Sequence, residues 1–195
     1  AEGMPTGIGS NAEWDTRLDG AIAAAMLGIQ AVKGVEIGLG FGSVSRRGSE
    51  VHDEVEPDEP EWRRKTNRAG GVEGGMSNGA AVVVRVAVKP VSTLRKPLDA
   101  VDLETGEVRR AHIERSDVAI MPRAAIVGEA MLALVLADAL LADLGGDTIG
   151  DVAAAVARRQ SRAAGPRGGA PPAGGLEALP DNAAEEAHPI EGADA

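Results

Sequence analysis

The sequence predicts an α+β domain, in which helices pack on strands joined mostly by hairpins. Three observations carry that class. Leu18, Ile22, Met26 and Ile29 recur at spacings of four, four and three, the apolar stripe of one amphipathic helix. AVVVRVAV, residues 81–88, is a valine-rich strand. Residues 98–104 and 108–114 flank the turn ETGE at 104–107 and read as a hairpin.

The elements follow in order. Ser10 and Glu13 have capping-box spacing before the first helix, and Asp15 offers a second cap. Alanines at 21, 23, 24 and 25 permit close approach to that helix. VKGVEIGLGF, residues 32–41, reads as a strand interrupted by glycines, which mark close approach of a ligand or of another backbone. Residues 42–79 read as irregular, mixing acids, a basic cluster and a glycine run. Pro122 opens a long helix that runs to about Leu144, where Gly145-Gly146 ends it. Its apolar run, Ile126 to Leu144, contains Glu129, Asp138 and Asp143. Charges at the centre of a membrane span cost roughly 2.5–3.5 kcal/mol each, so a buried helix is expected and not a span. A short helix is expected from about Thr148 to Gln160. An ordered domain over residues 1–160 then gives way to a tail, residues 161–195, rich in Pro, Gly, Ala and Glu and expected to be disordered. No internal repeat is visible.

Composition narrows the function classes. The net charge of −10 argues against nonspecific nucleic-acid binding. The basic residues are nevertheless clustered: Arg46-Arg47, Arg63-Arg64-Lys65 with Arg68, Arg95-Lys96, Arg109-Arg110, then Arg115 and Arg123. Such islands suit a small anionic ligand; each can equally be a solvated loop balanced by neighbouring acids. The absence of cysteine excludes disulfides, thiolate nucleophiles and Cys-type zinc sites, and is compatible with a cytoplasmic location. With two Trp, one Phe and no Tyr, the core must be built from Ala, Val, Leu, Ile and Met. The opening AEGMPTGIGS has no basic n-region and no apolar h-region of a signal peptide.

Several motifs lead nowhere. GIGSNA, residues 7–12, fits a dinucleotide-binding pattern, but no strand reads before it. No P-loop is present. His52, His112 and His188 show no metal-ligand spacing, and a packing or surface role is expected for each. What remains is NRAGGVEGGMSNG at 67–79, KPVST at 89–93 and ERSD at 114–117. Gly70, Gly71, Gly74, Gly75 and Gly79 can expose backbone N–H groups, and concavities of such groups bind anions. Lys89 adds a point charge, Ser92 and Thr93 add hydroxyls, and Arg115 adds a planar fork. Asp117 would share a strand face with Arg115. On these residues alone an anion site stands beside a plainer reading, a glycine-rich turn with a salt-bridged hairpin.

The ordered segments taken together resemble chorismate synthase. The likeness is carried by GIGS at 7–10, RLDGAIAAAMLGIQAVKGVEIGLGF at 17–41, RGSEVHDE at 47–54, NRAGGVEGGMSNG at 67–79, KPVST at 89–93 and RSDVAIMPRAAIVGEAMLALVLAD at 115–138. Order and spacing agree over residues 3–160. The resemblance covers the C-terminal half of the family's chain; the catalytic histidines, substrate arginines and Arg-Ala-Ser-Ala-type flavin contact of the other half have no counterpart here. The chain, which does not begin with Met, is therefore expected to be a fragment with little activity alone and with exposed apolar faces.

The resemblance implies a β-α-β sandwich of antiparallel sheets around helices, in a cytoplasmic homotetramer. It implies a lyase of aromatic amino-acid biosynthesis that eliminates phosphate from 5-enolpyruvylshikimate 3-phosphate and requires reduced FMN. It associates the family with NADP and leaves open whether a separate flavin reductase supplies the reduced cofactor. Carried over by motif, the flavin contacts would be Gln30, Ala31, Gly74, Lys89, Pro90, Val91, Ser92, Thr93 and Arg115, with Asp117 assisting proton removal. Relatives often have Asn at Gln30, Arg-His-Asp at RSD, and Asn at His52, which is left without a role. No metal, membrane or nucleic-acid partner is implied. An FMN- or anion-binding half without catalysis, or an oligomerisation half, is the alternative.

Overall fold

The computed structural model describes residues 1–58, 61–114 and 120–163. The apolar stripe of the first helix organises them. Helix α1 (Leu18–Leu27) buries Leu18, Ile22 and Met26, a gain of roughly 1.5–3 kcal/mol for each such side chain. It lies on a two-stranded antiparallel sheet of β1 (Val32–Ile37) and β6 (Val84–Val88), paired from Val32↔Val88 to Ile37↔Val84. Along β6 the side chains alternate between half-buried and exposed, as one covered sheet face requires. Val35, Ile37, Val84 and Val86 pack against the α1 core, while Arg85 points away and pairs with Glu36 at 3.2 Å.

Between these strands run α2 (Gly48–Val51), the hairpin β2 (Val55–Asp58) and β3 (Glu61–Arg64), and the hairpin β4 (Val72–Glu73) and β5 (Met76–Ser77). After β6 come a third hairpin, β7 (Asp99–Val101) and β8 (Val108–Arg110), then α3 (Met121–Leu144) and α4 (Ile149–Ala163). The β7–β8 turn is tied by Asp102, whose carboxylate accepts the N–H groups of Glu104 and Thr105, each at 3.0 Å. Those backbone donors hold the Asp102 carboxyl below its ordinary pKa. Helices and antiparallel hairpins in this arrangement make the chain α+β, as expected.

The hairpin β4–β5 is tied to the N-terminal segment. The buried Ser77 hydroxyl donates to the Pro5 carbonyl and accepts the Ile8 N–H at 2.9 Å. Arg159 of α4 reaches back across the molecule, donating to the Gly7 carbonyl at 3.1 Å and pairing with Asp143.

Four expectations need correction. The start of α1 is not capped by Ser10, Glu13 or Asp15; its N-cap is Arg17, without a side-chain cap bond. The Leu18 N–H instead donates to the Gly75 carbonyl at 2.9 Å, so a distant loop does the capping. The first strand stops at Ile37, because Gly38 and Gly40 take positive φ and the chain enters a 3-10 turn over Gly40–Ser43. Residues 42–79 are not irregular but hold α2 and two hairpins, whose short strands are polar and carry weak periodicity. His112 lies beyond the end of β8, not in it.

The long helix is also less covered than expected. Of α3 only Leu136 is buried, while Ile126, Leu134 and Leu141 are at least half exposed. Met131, Leu132, Val135 and Ala139 pack toward the α1 core, leaving the opposite face open. By length and composition α3 could cross a membrane; Glu129, Asp138 and Asp143 on it count against that. The final helix extends to Ala163, past the boundary expected at 160. The tail beyond it lies outside the described residues.

Candidate functional site

The turn between α1 and β1 holds an unusual backbone. Ala31 has φ +68°, and it alone of the described non-glycine residues is left-handed. A Cβ in that region costs roughly 1–2 kcal/mol, so the surroundings must impose it. They do so from both sides. The Val32 N–H donates to Ile29 at 3.2 Å, and the Lys89 N–H donates to the Ala31 carbonyl at 2.8 Å. A bulge between Val32 and Gly34 then resets the register with β6.

That Lys89–Ala31 bond joins the start of KPVST to Gln30-Ala31 at one end of the β1–β6 ladder. Gln30, Lys89, Pro90 and Ser92 are exposed there; Ala31, Val91 and Thr93 are half-buried. Among the described residues Lys89 makes no ion pair. The two joined segments carry an ammonium without an ion pair, two hydroxyls and an amide side chain. Chemically they suit a ligand with an anionic end and a polar ring edge.

Gly74 stands elsewhere. It occupies the β4–β5 turn with φ +61°, and a Cβ there would meet nothing within 4 Å. Its neighbour Gly75 caps the start of α1, whereas Gln30-Ala31 follows the end of the same helix. Ten residues separate the two groups by ~15 Å along the axis. Arg64 and Asn78 hold this turn through Glu73, at 2.5 and 2.8 Å to one carboxylate oxygen. Arg115 and Asp117 lie outside the described residues.

A second group of polar side chains went unassigned in the sequence. His52 and the basic cluster around Arg64 to Arg68 meet at a cavity lined by Ser49, His52, Glu54, Lys65, Thr66 and Arg68. Only the local density of basic residues hinted at it; the pairing of β2 with β3 that brings 52–54 against 65–68 was not legible. The left-handed Ala31 was equally silent, since alanine carries no turn signal.

Comparison with known proteins bears on the first of these places. The family model for chorismate synthase matches residues 1–141. The chain belongs to the chorismate synthase family. It is 52% identical over 151 residues to the chorismate synthase of Thermobifida fusca, covering 77% of this chain and 38% of that one. It is 55% identical over 150 residues to the chorismate synthase of Aquifex aeolicus, covering 76% and 38%. A solved structure described as the crystal structure of chorismate synthase superposes with a TM-score of 0.66 at 45% identity, covering 80% of this chain and 40% of that one. The chain thus spans about two-fifths of the length of the relatives it matches.

Proposed function

We propose that this chain is part of an FMN-dependent chorismate synthase, a lyase of the shikimate pathway. It would contribute to converting 5-enolpyruvylshikimate 3-phosphate to chorismate with loss of phosphate. The observation that carries this reading is the Lys89–Ala31 bond, which joins the two segments that hold seven of the expected flavin contacts. Membership of the family supports the chemistry.

The residues present fit the cofactor. Lys89, Ser92 and Thr93 would hold the FMN phosphate, as an unpaired ammonium beside two hydroxyls is suited to do. Gln30, the strained Ala31 backbone, Pro90 and Val91 would line the ring. Extended FMN is long enough to lie along a ten-residue helix, and Gly74 is proposed as a backbone contact at its far end. Arg115 would add a fork for an anionic oxygen, and Asp117 would assist removal of the ring proton. When bound, reduced flavin supplies electron density as phosphate leaves; the chain binds, orients and tunes it electrostatically.

The open face of α3 supports a β-α-β sandwich in which further strands cover that helix. The same exposure supports a second reading, a half whose role is oligomerisation or flavin binding without catalysis. A cytoplasmic homotetramer, reduction of the flavin with NADP chemistry by the protein or by a separate reductase, and negligible activity of this chain alone complete the proposal.

A graft tests it. Residues 1–151 replace the matching segment of the Thermobifida fusca relative, and chorismate formation is followed with reduced FMN. Turnover within about tenfold of the parent is expected. A folded graft that binds FMN without turnover would favour the non-catalytic reading, and one that binds no FMN would refute both flavin readings.

A further inference from the structure

The cavity at α2 and the β2–β3 hairpin lies apart from the Ala31–Lys89 edge, at the opposite end of β1. Its volume is about 220 Å³, and every side chain lining it is polar or charged: Ser49, His52, Glu54, Lys65, Thr66 and Arg68. Its walls are held rigidly. The Asp53 carboxylate accepts the Thr66 hydroxyl, the Arg68 N–H at 2.8 Å and the Ala69 N–H at 2.9 Å. The Arg68 carbonyl in turn accepts the Leu39 N–H at 2.6 Å. The Lys65 N–H bonds the Glu54 carbonyl at 2.9 Å. Loop 65–69 is therefore pinned from two directions, and Asp53 is fully committed to pinning it.

Three of the six side chains facing the cavity are not committed. Among the described residues those of Arg68, His52 and Ser49 make no hydrogen bond or ion pair. The one carboxylate in the lining, Glu54, is largely exposed; it is paired with Lys65, which also lies 3.9 Å from Glu56, and it feels the charge of Arg68. An exposed pair of that kind is weak, so the Lys65 ammonium is free to turn to another anion. The lining then carries two cations against one acid, with hydroxyl and imidazole donors between them.

We propose that this cavity binds a compact phosphate group, at a site separate from the flavin contacts. The Arg68 guanidinium fork takes two of its oxygens, Ser49 and His52 donate to the others, and Lys65 supplies the second charge. The pinned backbone means that little order has to be gained on binding. The group could arrive as inorganic phosphate or as the phosphate of a larger metabolite.

The test is an amide NMR titration of the ¹⁵N-labelled chain at constant ionic strength. Inorganic phosphate and glycerol 3-phosphate are the two probes, with chloride as control. Saturable shifts confined to residues 48–54 and 65–69 are expected, and Arg68→Gln should weaken them about tenfold or more, as loss of a charged hydrogen-bond pair does. Equal affinities would assign the site to the phosphate group itself; tighter glycerol 3-phosphate would assign it to a phosphorylated metabolite. Should Arg68→Gln lose the folded spectrum, Arg68→Lys decides: it keeps the charge but not the fork, so weaker binding supports the site and unchanged binding overturns it. Shifts linear in concentration, shifts matched by chloride, or binding abolished by Lys89→Ala and untouched by Arg68→Gln would overturn the proposal. Lys89→Ala without effect here separates this site from the flavin edge.

Discussion

Substituting Gly38 by alanine should destabilise the chain far more than the same change at Gly74. Both residues are left-handed, at φ +60° and +61°, so the strain of a Cβ on its own backbone is matched, at roughly 1–2 kcal/mol. Their surroundings differ completely. A Cβ at Gly38 would fall 2.1 Å from the Arg68 carbonyl oxygen and 2.4 Å from the Gly70 nitrogen, whereas one at Gly74 meets nothing within 4 Å. The two backbone segments would have to part by about an ångström, as overpacking of a close contact requires. Parting them strains the bonds from Leu39 to Arg68 at 2.6 Å and from Gly38 to Val83 at 3.0 Å. Overpacking of ~1–3 kcal/mol and weakening of two hydrogen bonds worth ~1 kcal/mol each place Gly38→Ala about 2–5 kcal/mol below Gly74→Ala. Urea unfolding followed by circular dichroism measures both, and the gain from stiffening the unfolded chain cancels between them. Equal midpoints for the two variants would mean that the backbone at Arg68 and Gly70 yields to a Cβ at no cost.

Two further outcomes follow from the packing of the N-terminal segment and from the carboxylates. Ser77→Ala removes a buried hydroxyl that both donates to Pro5 and accepts from Ile8, so a loss of ~1–3 kcal/mol is expected in urea unfolding; a loss within error would mean that the N-terminal segment is held by other contacts. Stability should also fall in acid. The Arg17 guanidinium beside Asp19, the Lys65 ammonium beside Glu54 and the turn N–H groups at Asp102 hold all three carboxyls below their ordinary values. A depressed folded pKa means that the unfolded chain takes up protons first, so the contribution is whole above the ordinary values and is lost as pH falls through the depressed ones. Urea midpoints should hold steady near neutrality and drop as pH falls below about 4, led by Asp19, the best covered of the three, since the exposed Glu54 pair is weak; midpoints flat through the acid range would contradict the Arg17–Asp19 pairing.

The long-range periodic elements were legible in the sequence, and the loops between them were not. Leu18, Ile22 and Met26 announced α1 because one face of it meets a sheet, and the valines announced β6 for the same reason. The hairpins β2–β3 and β4–β5 have strands of four and two residues, too short and too polar to show alternation. The glycines of 32–41 left two readings open, a ligand or a backbone nearby, and at Gly38 it is the Gly70 backbone. Glycine chemistry thus describes chain packing there, while at Gly74 it leaves an open turn. The candidate flavin edge depends on the Lys89–Ala31 bond, which joins residues 58 positions apart and has no local signature. It became visible in the sequence only through family resemblance. The burial of α3 was overestimated because its apolar character was read as contact within this chain, where α1 covers one face only.

The Ala31–Lys89 junction is proposed to hold the phosphate end of FMN. Flavin fluorescence titration of the Thermobifida fusca graft, with and without Lys89→Ala, tests it most directly. Loss of the ammonium should weaken FMN about tenfold or more, as removal of a charged hydrogen-bond donor does, with the fold intact by circular dichroism. An affinity unchanged by Lys89→Ala would place the phosphate elsewhere.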